Sequence, residues 1–157
     1  MKIIMSGNKD YGLAKEFCVL RPDTKFISRS TGYDLCNDNK INEFSELTLD
    51  YDVFINNSAL YHFYQSWLFD VVWKKWRQNN KSGYIINIGS TTDRTTKGSE
   101  WIYQIEKKSL RALSNTRSLL ATWGGSNIKV SYISFGSLKI PKVSQKHPNR
   151  KLLEVSS

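Results

Sequence analysis

Short, almost continuously apolar runs alternate with segments of helical length along most of the chain, and this alternation constrains the fold more than any other feature of the sequence. Such runs are typical of strands that are buried on both faces of a sheet. Because helix-length segments separate them, the connections are expected to be right-handed crossovers between parallel strands. We therefore predict an α/β fold, a doubly wound parallel sheet of about six strands with helices on both faces. The predicted strands are 2–7, 24–30, 32–38, 51–57, 83–90 and 129–136.

Two long helical segments are predicted, and the first of them, 60–79, carries more apolar surface than one sheet contact requires. The segment 60–79 places Phe63, Trp67 and Val71 at helical spacing and ends in a basic turn, as the helix dipole favours. The segment 100–123 ends at a Gly-Gly pair, a natural stop for a helix. We expect the excess aromatic surface to form core and a subunit interface, in a homodimer or tetramer through helices 60–79 and 100–123.

The composition suits one folded domain. The chain has 157 residues, of which 39% are apolar, and we place the domain at 1–140. The basic segment 141–157 is predicted to be a loosely ordered tail. Cys18 and Cys36 lack the spacing of a metal or redox site, so we expect reduced thiols and no metal. A short first apolar run and the lack of any membrane-length stretch favour a cytoplasmic protein with no membrane partner.

The net charge of +9 is unevenly distributed along the chain. Residues 61–136 carry eleven Lys or Arg against four acids, whereas residues 1–60 carry seven against nine. A basic half can bind a nucleic acid or a polyanionic cofactor, or it can serve solubility. Nucleic acid is the less favoured partner, because the aromatic side chains best suited to stack on bases are expected to be buried.

A tyrosine, a lysine and a serine form the candidate catalytic group. Tyr103 and Lys107 are four residues apart in the predicted helix, so their side chains share one face. An ammonium group that close favours the phenolate, which would let Tyr103 exchange protons at neutral pH. Ser90 ends an apolar strand and could donate a hydrogen bond to a substrate oxygen. An exposed amphipathic helix face is the competing interpretation of the Tyr-Lys pair.

Two further segments could bind phosphate. Gly7 and Gly12 lie in the turn between the first strand and the first helix, where backbone N–H groups can face a phosphate. A plain strand-to-helix turn is equally consistent with these glycines. Ser28, Arg29 and Ser30 end the second strand, about twenty residues after the first glycine, where an arginine accommodates a ribose 2′-phosphate. A solvated arginine after an edge strand is the alternative.

Taken in order, these segments resemble the short-chain dehydrogenase/reductase family over residues 1 to about 140. The family's Gly-rich turn is similar to SGNKDYGLA, its Asn-Asn-Ala-Gly motif to NNSA, and its Tyr-x-x-x-Lys to YQIEK. Its strand-end serine is similar to Ser90, thirteen residues before Tyr103 as in the family, and its Pro-Gly after the sixth strand is similar to Phe135-Gly136.

The resemblance implies a Rossmann-type fold and NADP(H)-linked hydride transfer at a small-molecule carbonyl or alcohol. Tyr103 would transfer the proton, Lys107 would assist it and hold the nicotinamide ribose, and Ser90 would steady the substrate oxygen. By the same resemblance Asp34 and Leu35 would meet the adenine, and Leu138 the carboxamide. The implied cofactor-binding residues are Gly7, Asn8, Lys9, Gly12, Leu13, Ser28, Arg29, Ser30, Asp34, Leu35, Asn56, Asn57, Ser58, Ala59, Tyr103, Lys107, Gly136 and Leu138.

The sequence departs from the family pattern at several points. The glycine turn is one residue longer and ends in Ala14, and NNSA has alanine in place of the final glycine. The fourth-helix asparagine of the family's proton relay has no clear counterpart, and Gln65 is a poor candidate. The substrate-covering segment after the sixth strand is missing, so we expect a C-terminally truncated member.

Three functions stay open at this point. The first is a compact NADPH-dependent reductase, whose pocket could be completed across a dimer interface. The second is a dinucleotide-binding or interaction module with little turnover, and the third is a nucleic-acid-binding protein.

Overall fold

The computed structural model describes residues 1–58, 60–94, 98 and 100–136. Within these ranges strands and helices alternate, as the sequence predicts. The strands are β1 (Ile3–Ser6), β2 (Lys25–Ile27), β3 (Val53–Asn56), β4 (Gly83–Ser90) and β5 (Ile128–Phe135). The helices are α1 (Gly12–Leu20), α2 (Asp38–Thr48), α3 (Tyr64–Gln78) and α4 (Ile102–Thr122), with 3₁₀ turns at Arg29–Thr31 and Thr91–Arg94.

The strands form one parallel sheet in the order β2-β1-β3-β4-β5. The chain moves from β1 outward to β2 and then crosses to β3 on the other side of β1. The strand order therefore reverses between β1 and β3, and their carboxyl ends flank a crevice where ligands bind in folds of this class. The predicted doubly wound α/β fold is confirmed.

Helices cover both faces of the sheet. On one face α2, α3 and α4 bury Ile4, Phe54 and Ile85 in a large apolar cluster that includes Trp76. On the other face α1 packs through Ala14 against a smaller cluster. The carboxyl ends of the strands are thus fixed by apolar clusters on both faces of the sheet.

The predicted strand at 32–38 is wrong, and the described sheet has five strands rather than about six. The Asp34 side chain accepts a hydrogen bond from the backbone N–H of Cys36 at 3.0 Å, which closes a turn. Asn37 then caps α2 by accepting from the backbone N–H of Lys40 at 3.2 Å. Local side-chain bonds to the backbone therefore replace strand pairing here.

The helix predicted to begin at residue 60 begins at Tyr64 instead. His62 and Phe63 have φ values of 56° and 62°, in the left-handed region, which a right-handed helix cannot contain. No helix in the described ranges is both long enough and apolar enough to span a bilayer.

Candidate active site

A pair of buried asparagines forms the floor of the site. Asn56 ends β3 and lies beside Asn87 of β4 in the sheet register. The Asn56 Nδ2 donates to Asn87 Oδ1 at 3.0 Å, and Asn87 Nδ2 donates to Ser114 Oγ of α4 at 2.8 Å. These side chains are buried but hydrogen-bonded, so the polar ladder is stable inside the core.

Gln65, in the first turn of α3, links this floor to the neighbouring strand. Its Nε2 donates to the backbone oxygens of Asn56 and Ile88, both at 3.0 Å. The Asn56 side-chain Nδ2 in turn donates to the backbone carbonyl of Gln65 at 3.1 Å. Gln65 is therefore held at its side-chain nitrogen and at its backbone oxygen, and its Oε1 faces α4.

Lys107 is the partner of that oxygen. Its Nζ donates to Gln65 Oε1 at 2.6 Å and to the Ile88 carbonyl at 3.4 Å, and only 4% of the residue is exposed. Burial lowers the pKa of Lys107 to about 8, against smaller upward effects of Glu106 and Asp93. At neutral pH the site therefore holds a buried ammonium whose direct acceptors are neutral oxygens.

Tyr103 lies next to this ammonium. The Lys107 Nζ is 5.4 Å from the centroid of the Tyr103 ring, and the Trp101 ring stacks on the Tyr103 ring with a centroid distance of 5.1 Å. The predicted contact of Tyr103 with Lys107 across one helical turn is thus present. The half-exposed Trp101 shields the phenol ring from part of the solvent.

Ser90 stands at the carboxyl end of β4, two residues beyond the Ile88 carbonyl that Lys107 contacts. Its Oγ accepts from the backbone N–H of Thr92 at 3.3 Å and from the Thr92 hydroxyl at 3.1 Å. A hydroxyl accepts two hydrogen bonds and donates one, so these contacts leave the Ser90 proton as the group's donor.

The glycine turn lies beside the crevice between β1 and β3. Gly7 has φ 144°, and a Cβ there would lie 2.8 Å from Asn57 Nδ2 and 3.3 Å from Ala14 Cβ. Gly12, with φ 56°, opens α1 and would have nothing within 4 Å of a Cβ. No side chain caps the first turn of α1, so its N–H groups are open to an anion.

The hydroxyl groups after β2 lie near this turn. Ser28 Oγ and Ser30 Oγ are 2.7 Å apart, and Asn8 Nδ2 donates to Ser30 Oγ at 3.5 Å. Arg29 is exposed between them, and Lys9 is exposed beside Asn8. The two predicted phosphate-binding segments therefore form one polar, basic surface.

No family model and no curated protein matches the sequence. Solved structures do match: a short-chain dehydrogenase/reductase from Burkholderia phymatum in complex with NAD has a TM-score of 0.67 at 13% identity, covering 99% of this chain and 74% of that one. The chain has the fold of the short-chain dehydrogenases/reductases.

Two further structures with this fold cover nearly the whole chain. A short-chain dehydrogenase from Burkholderia cenocepacia in complex with NADP matches with a TM-score of 0.69 and 16% identity, over 97% of this chain and 80% of that one. A 4-hydroxyisoleucine dehydrogenase complexed with NADH matches with a TM-score of 0.66 and 21% identity, over 99% and 84%.

The other residues predicted to bind the cofactor lie near the ends of the strands and helices or outside the described residues. Leu35 is 3% exposed and packs in the core, so Asp34 and the local backbone are the groups there that a ligand could meet. The backbone N–H groups of Asn57 and Ser58 donate to Ser6 Oγ at 3.0 and 3.4 Å, which sets the end of β3. Leu13 follows Gly12 in α1, and Gly136 follows β5. Ala59, Leu138 and the segment 141–157 lie outside the described residues.

Sequence reasoning missed Asn87 and Asp93 and judged Gln65 a poor candidate, but this fold brings all three residues to the site. All three are buried polar residues. Gln65 lies in a predicted helix, Asn87 in a predicted strand and Asp93 in the predicted loop that follows it. A polar residue on the buried face of an amphipathic helix was the available signal for Gln65. In the part of the chain that is described, no group of three His, Cys, Asp or Glu could hold a metal ion.

The buried lysine makes a prediction about stability. Folding lowers the pKa of Lys107 from 10.5 to about 8, so the penalty for the buried charge is full below pH 8 and is relieved as pH rises toward 10.5. We expect Lys107→Met to lose this pH-dependent gain in the free energy of unfolding, which amounts to roughly 3 kcal/mol. Denaturant unfolding from pH 7 to 10.5 measures it. Lys15→Met, at an exposed position in α1, should keep the wild-type slope, and a Lys107→Met curve parallel to wild type would contradict the prediction.

Proposed function

We propose that this chain is an NADP(H)-dependent oxidoreductase of the short-chain dehydrogenase/reductase family, acting on a small-molecule carbonyl or alcohol. The observation that carries the proposal is the buried Lys107 ammonium, 5.4 Å from the Tyr103 ring, at the carboxyl edge of the sheet. Acid–base chemistry by a phenol needs such a cation, because a free phenol ionises only near pH 10.

The residues around the strand-order reversal fit a dinucleotide. The turn at Gly7 has no room for a side chain, whereas Gly12 leaves open space at the uncapped start of α1. A diphosphate there would meet backbone N–H groups and the positive end of the helix dipole. Solved structures with this fold carry NAD, NADH or NADP.

The surface after β2 favours NADP(H) within that class. The residues that follow β2 are Ser28, Arg29 and Ser30. They carry two hydroxyls and a guanidinium, and no carboxylate that could bind a ribose 2′-hydroxyl. An exposed Arg29 between Ser28 and Ser30 can make charge-assisted hydrogen bonds to a 2′-phosphate.

Each catalytic side chain has one task in carbonyl reduction. A reduced nicotinamide, whose ribose Tyr103 and Lys107 would hold, would supply the hydride to the carbonyl carbon. The Tyr103 hydroxyl gives its proton to the carbonyl oxygen, and the Lys107 ammonium stabilises the phenolate that remains. The Ser90 hydroxyl donates to the same oxygen while negative charge develops on it. Alcohol oxidation runs the same proton steps in reverse.

The neutral partners of Lys107 suit this task. A carboxylate in direct contact would cancel much of the ammonium field at the phenol, whereas Gln65 Oε1 and the Ile88 carbonyl orient the ammonium and leave its full charge. Because the group is buried, solvent screens that field only weakly.

Several basic side chains from the basic half of the chain form ion pairs within the protein. Lys74 and Arg117 pair with Asp70 at 2.8 and 3.0 Å, and Lys75 pairs with Glu46 at 2.7 Å. Trp73 and Trp76 are buried and cannot stack on a base, whereas Trp67, Trp101 and Trp123 are exposed, contrary to the expectation of buried aromatic side chains. The ion pairs, and not the aromatic burial, favour the oxidoreductase over a nucleic-acid-binding protein.

We also propose that a second copy of the chain covers an exposed stripe along α4. Ile102, Ile105 and Leu119 are 56%, 45% and 59% exposed, and Trp123 is 85% exposed. Together with the exposed Ala112, they recur at intervals of three, four or seven residues, the spacing of a helix seam. An apolar seam of this length is typical of a helix-to-helix subunit contact.

The cofactor proposal predicts a preference between two dinucleotides. We expect NADPH to bind at least about ten-fold more tightly than NADH, since charge-assisted contacts of Arg29 reach only the 2′-phosphate. Arg29→Ala should lose most of this difference and leave NADH binding unchanged, as measured by quenching of protein fluorescence. Arg21→Ala, whose guanidinium pairs with Asp23, is the matched control. Equal dissociation constants for both dinucleotides in the wild type would rule out the NADP(H) preference.

The catalytic proposal predicts a separation of binding from turnover. We expect Tyr103→Phe to lower carbonyl reduction by about a hundred-fold or more, because the proton donor is lost, while NADPH affinity stays nearly unchanged. NADPH oxidation against a panel of aldehydes and ketones measures it. Tyr51→Phe, which alters a tyrosine next to Lys2 and away from the site, should turn over normally. Wild-type binding of NADPH without turnover of any carbonyl would instead support the binding module.

The interface proposal predicts the oligomeric state. We expect wild-type protein to sediment as a dimer or larger species at micromolar concentration, and the double variant Ala112→Glu, Leu119→Glu to sediment as a monomer because charges would be buried in the seam. Val19→Glu places the same charge on an exposed apolar position of α1 and should leave the assembly intact. A monomeric wild type would refute the interface.

A further inference from the structure

Tyr132 of β5 lies directly over Gly89, the residue before Ser90. A Cβ at Gly89 would overlap the hydroxyl and ring atoms of Tyr132, so the glycine is required by this close approach. The register pairs Asn87 with Tyr132 and Ser90 with Phe135, which brings β5 alongside the end of β4. The phenol therefore packs against the backbone that carries Ser90.

The Tyr132 hydroxyl stands among groups from three elements. It donates to the Lys107 carbonyl of α4 at 3.4 Å. Burial raises the pKa of this phenol, and the nearby Asp93 carboxylate raises it further. The hydroxyl is thus bonded to α4 and lies near the buried carboxylate of the 3₁₀ turn Thr91–Arg94.

Asp93 fixes the 3₁₀ turn to the same strand. Its side chain is fully buried, and Oδ2 accepts from Ser134 Oγ at 3.0 Å. The guanidinium groups of Arg94 and Arg111 approach Oδ1 at 3.7 and 3.9 Å. Oδ1 has no hydrogen-bond partner among the described residues, so the hydrogen bond from Ser134 is the contact that fixes this buried carboxylate to β5.

We propose that Tyr132 is a positioning residue for Ser90: its ring over Gly89 and its hydrogen bond to the Lys107 carbonyl of α4 hold the serine and the following turn at the reacting edge. This inference rests on the proposed function, in which the Ser90 hydroxyl donates to the substrate oxygen. Among the described residues Ser90 Oγ is otherwise held only by Thr92, which is itself part of that turn. Without Tyr132, the Asp93 to Ser134 hydrogen bond would be the remaining described side-chain link between the turn and β5.

Two tyrosines on these strands allow a matched test. Tyr132→Phe keeps the ring over Gly89 and removes the hydroxyl. Tyr84→Phe removes a hydroxyl that bonds Ser131 Oγ at 2.6 Å, between the same two strands but toward the other end of the sheet. Each variant loses one tyrosine hydrogen bond: Tyr132→Phe loses the bond to the Lys107 carbonyl of α4, and Tyr84→Phe loses the bond to Ser131 of β5. Only the first of these hydroxyls lies beside Gly89 and Ser90.

Backbone hydrogen exchange of the segment 89–94, measured by mass spectrometry on the full chain without substrate, reads the support of Ser90 directly. We expect faster exchange of this segment in Tyr132→Phe than in wild type or Tyr84→Phe. Equal exchange in the two variants overturns the proposal, whether or not a substrate has been found.

Steady-state reduction of a carbonyl then reads the consequence. We expect Tyr132→Phe to lower kcat about ten- to hundred-fold with little change in KM, because a misplaced donor weakens the transition state more than substrate binding. Equal kcat values for Tyr132→Phe and Tyr84→Phe would also overturn the proposal. Failure of the proposed function is a different result, namely that none of the carbonyls tested supports NADPH oxidation by the wild type.

Discussion

A buried ammonium held by neutral oxygens is the interaction on which the site depends. Lys107 gives its hydrogen bonds to Gln65 Oε1 and the Ile88 carbonyl, and no compensating carboxylate touches it among the described residues. The arrangement is a compromise, because burial strengthens the field at Tyr103 and at the same time lowers the pKa of Lys107 to about 8. Deeper burial would discharge the lysine at neutral pH, and full exposure would let water screen it.

The lysine is placed by the sheet as much as by its own helix. Gln65 is fixed by the backbone of Asn56 and Ile88, and the Asn56-Asn87 pair is fixed in turn by Ser114 of α4. Each member of this network is buried and bonded, so moving any one would leave another without a partner. The network therefore joins β3, β4, α3 and α4 into one unit, and Lys107 takes its position from that unit.

The sequence was sufficient for elements whose signals are local. The strand 83–90 has the bounds that its apolar run predicts, and the helix around 100–123 ends next to its Gly-Gly stop. The strand at 32–38 failed because Asp34 and Asn37 bond to nearby backbone, a competition that hydrophobicity does not reveal. The role of Gln65 was missed because it depends on a contact with a residue 42 positions away, which no local pattern encodes.

The Tyr-x-x-x-Lys spacing by itself guarantees only that two side chains share a helix face. Here that face is supported from outside α4 at two points, since Gln65 Oε1 accepts from the Lys107 side chain and the Tyr132 hydroxyl donates to the Lys107 backbone carbonyl. Gly89 shows the dependence most directly, since any larger residue would displace Tyr132 from the end of β4. A chain with the same spacing but an apolar residue at position 65 would leave the ammonium without its nearest acceptor, so the lysine would have to turn toward solvent and away from the phenol.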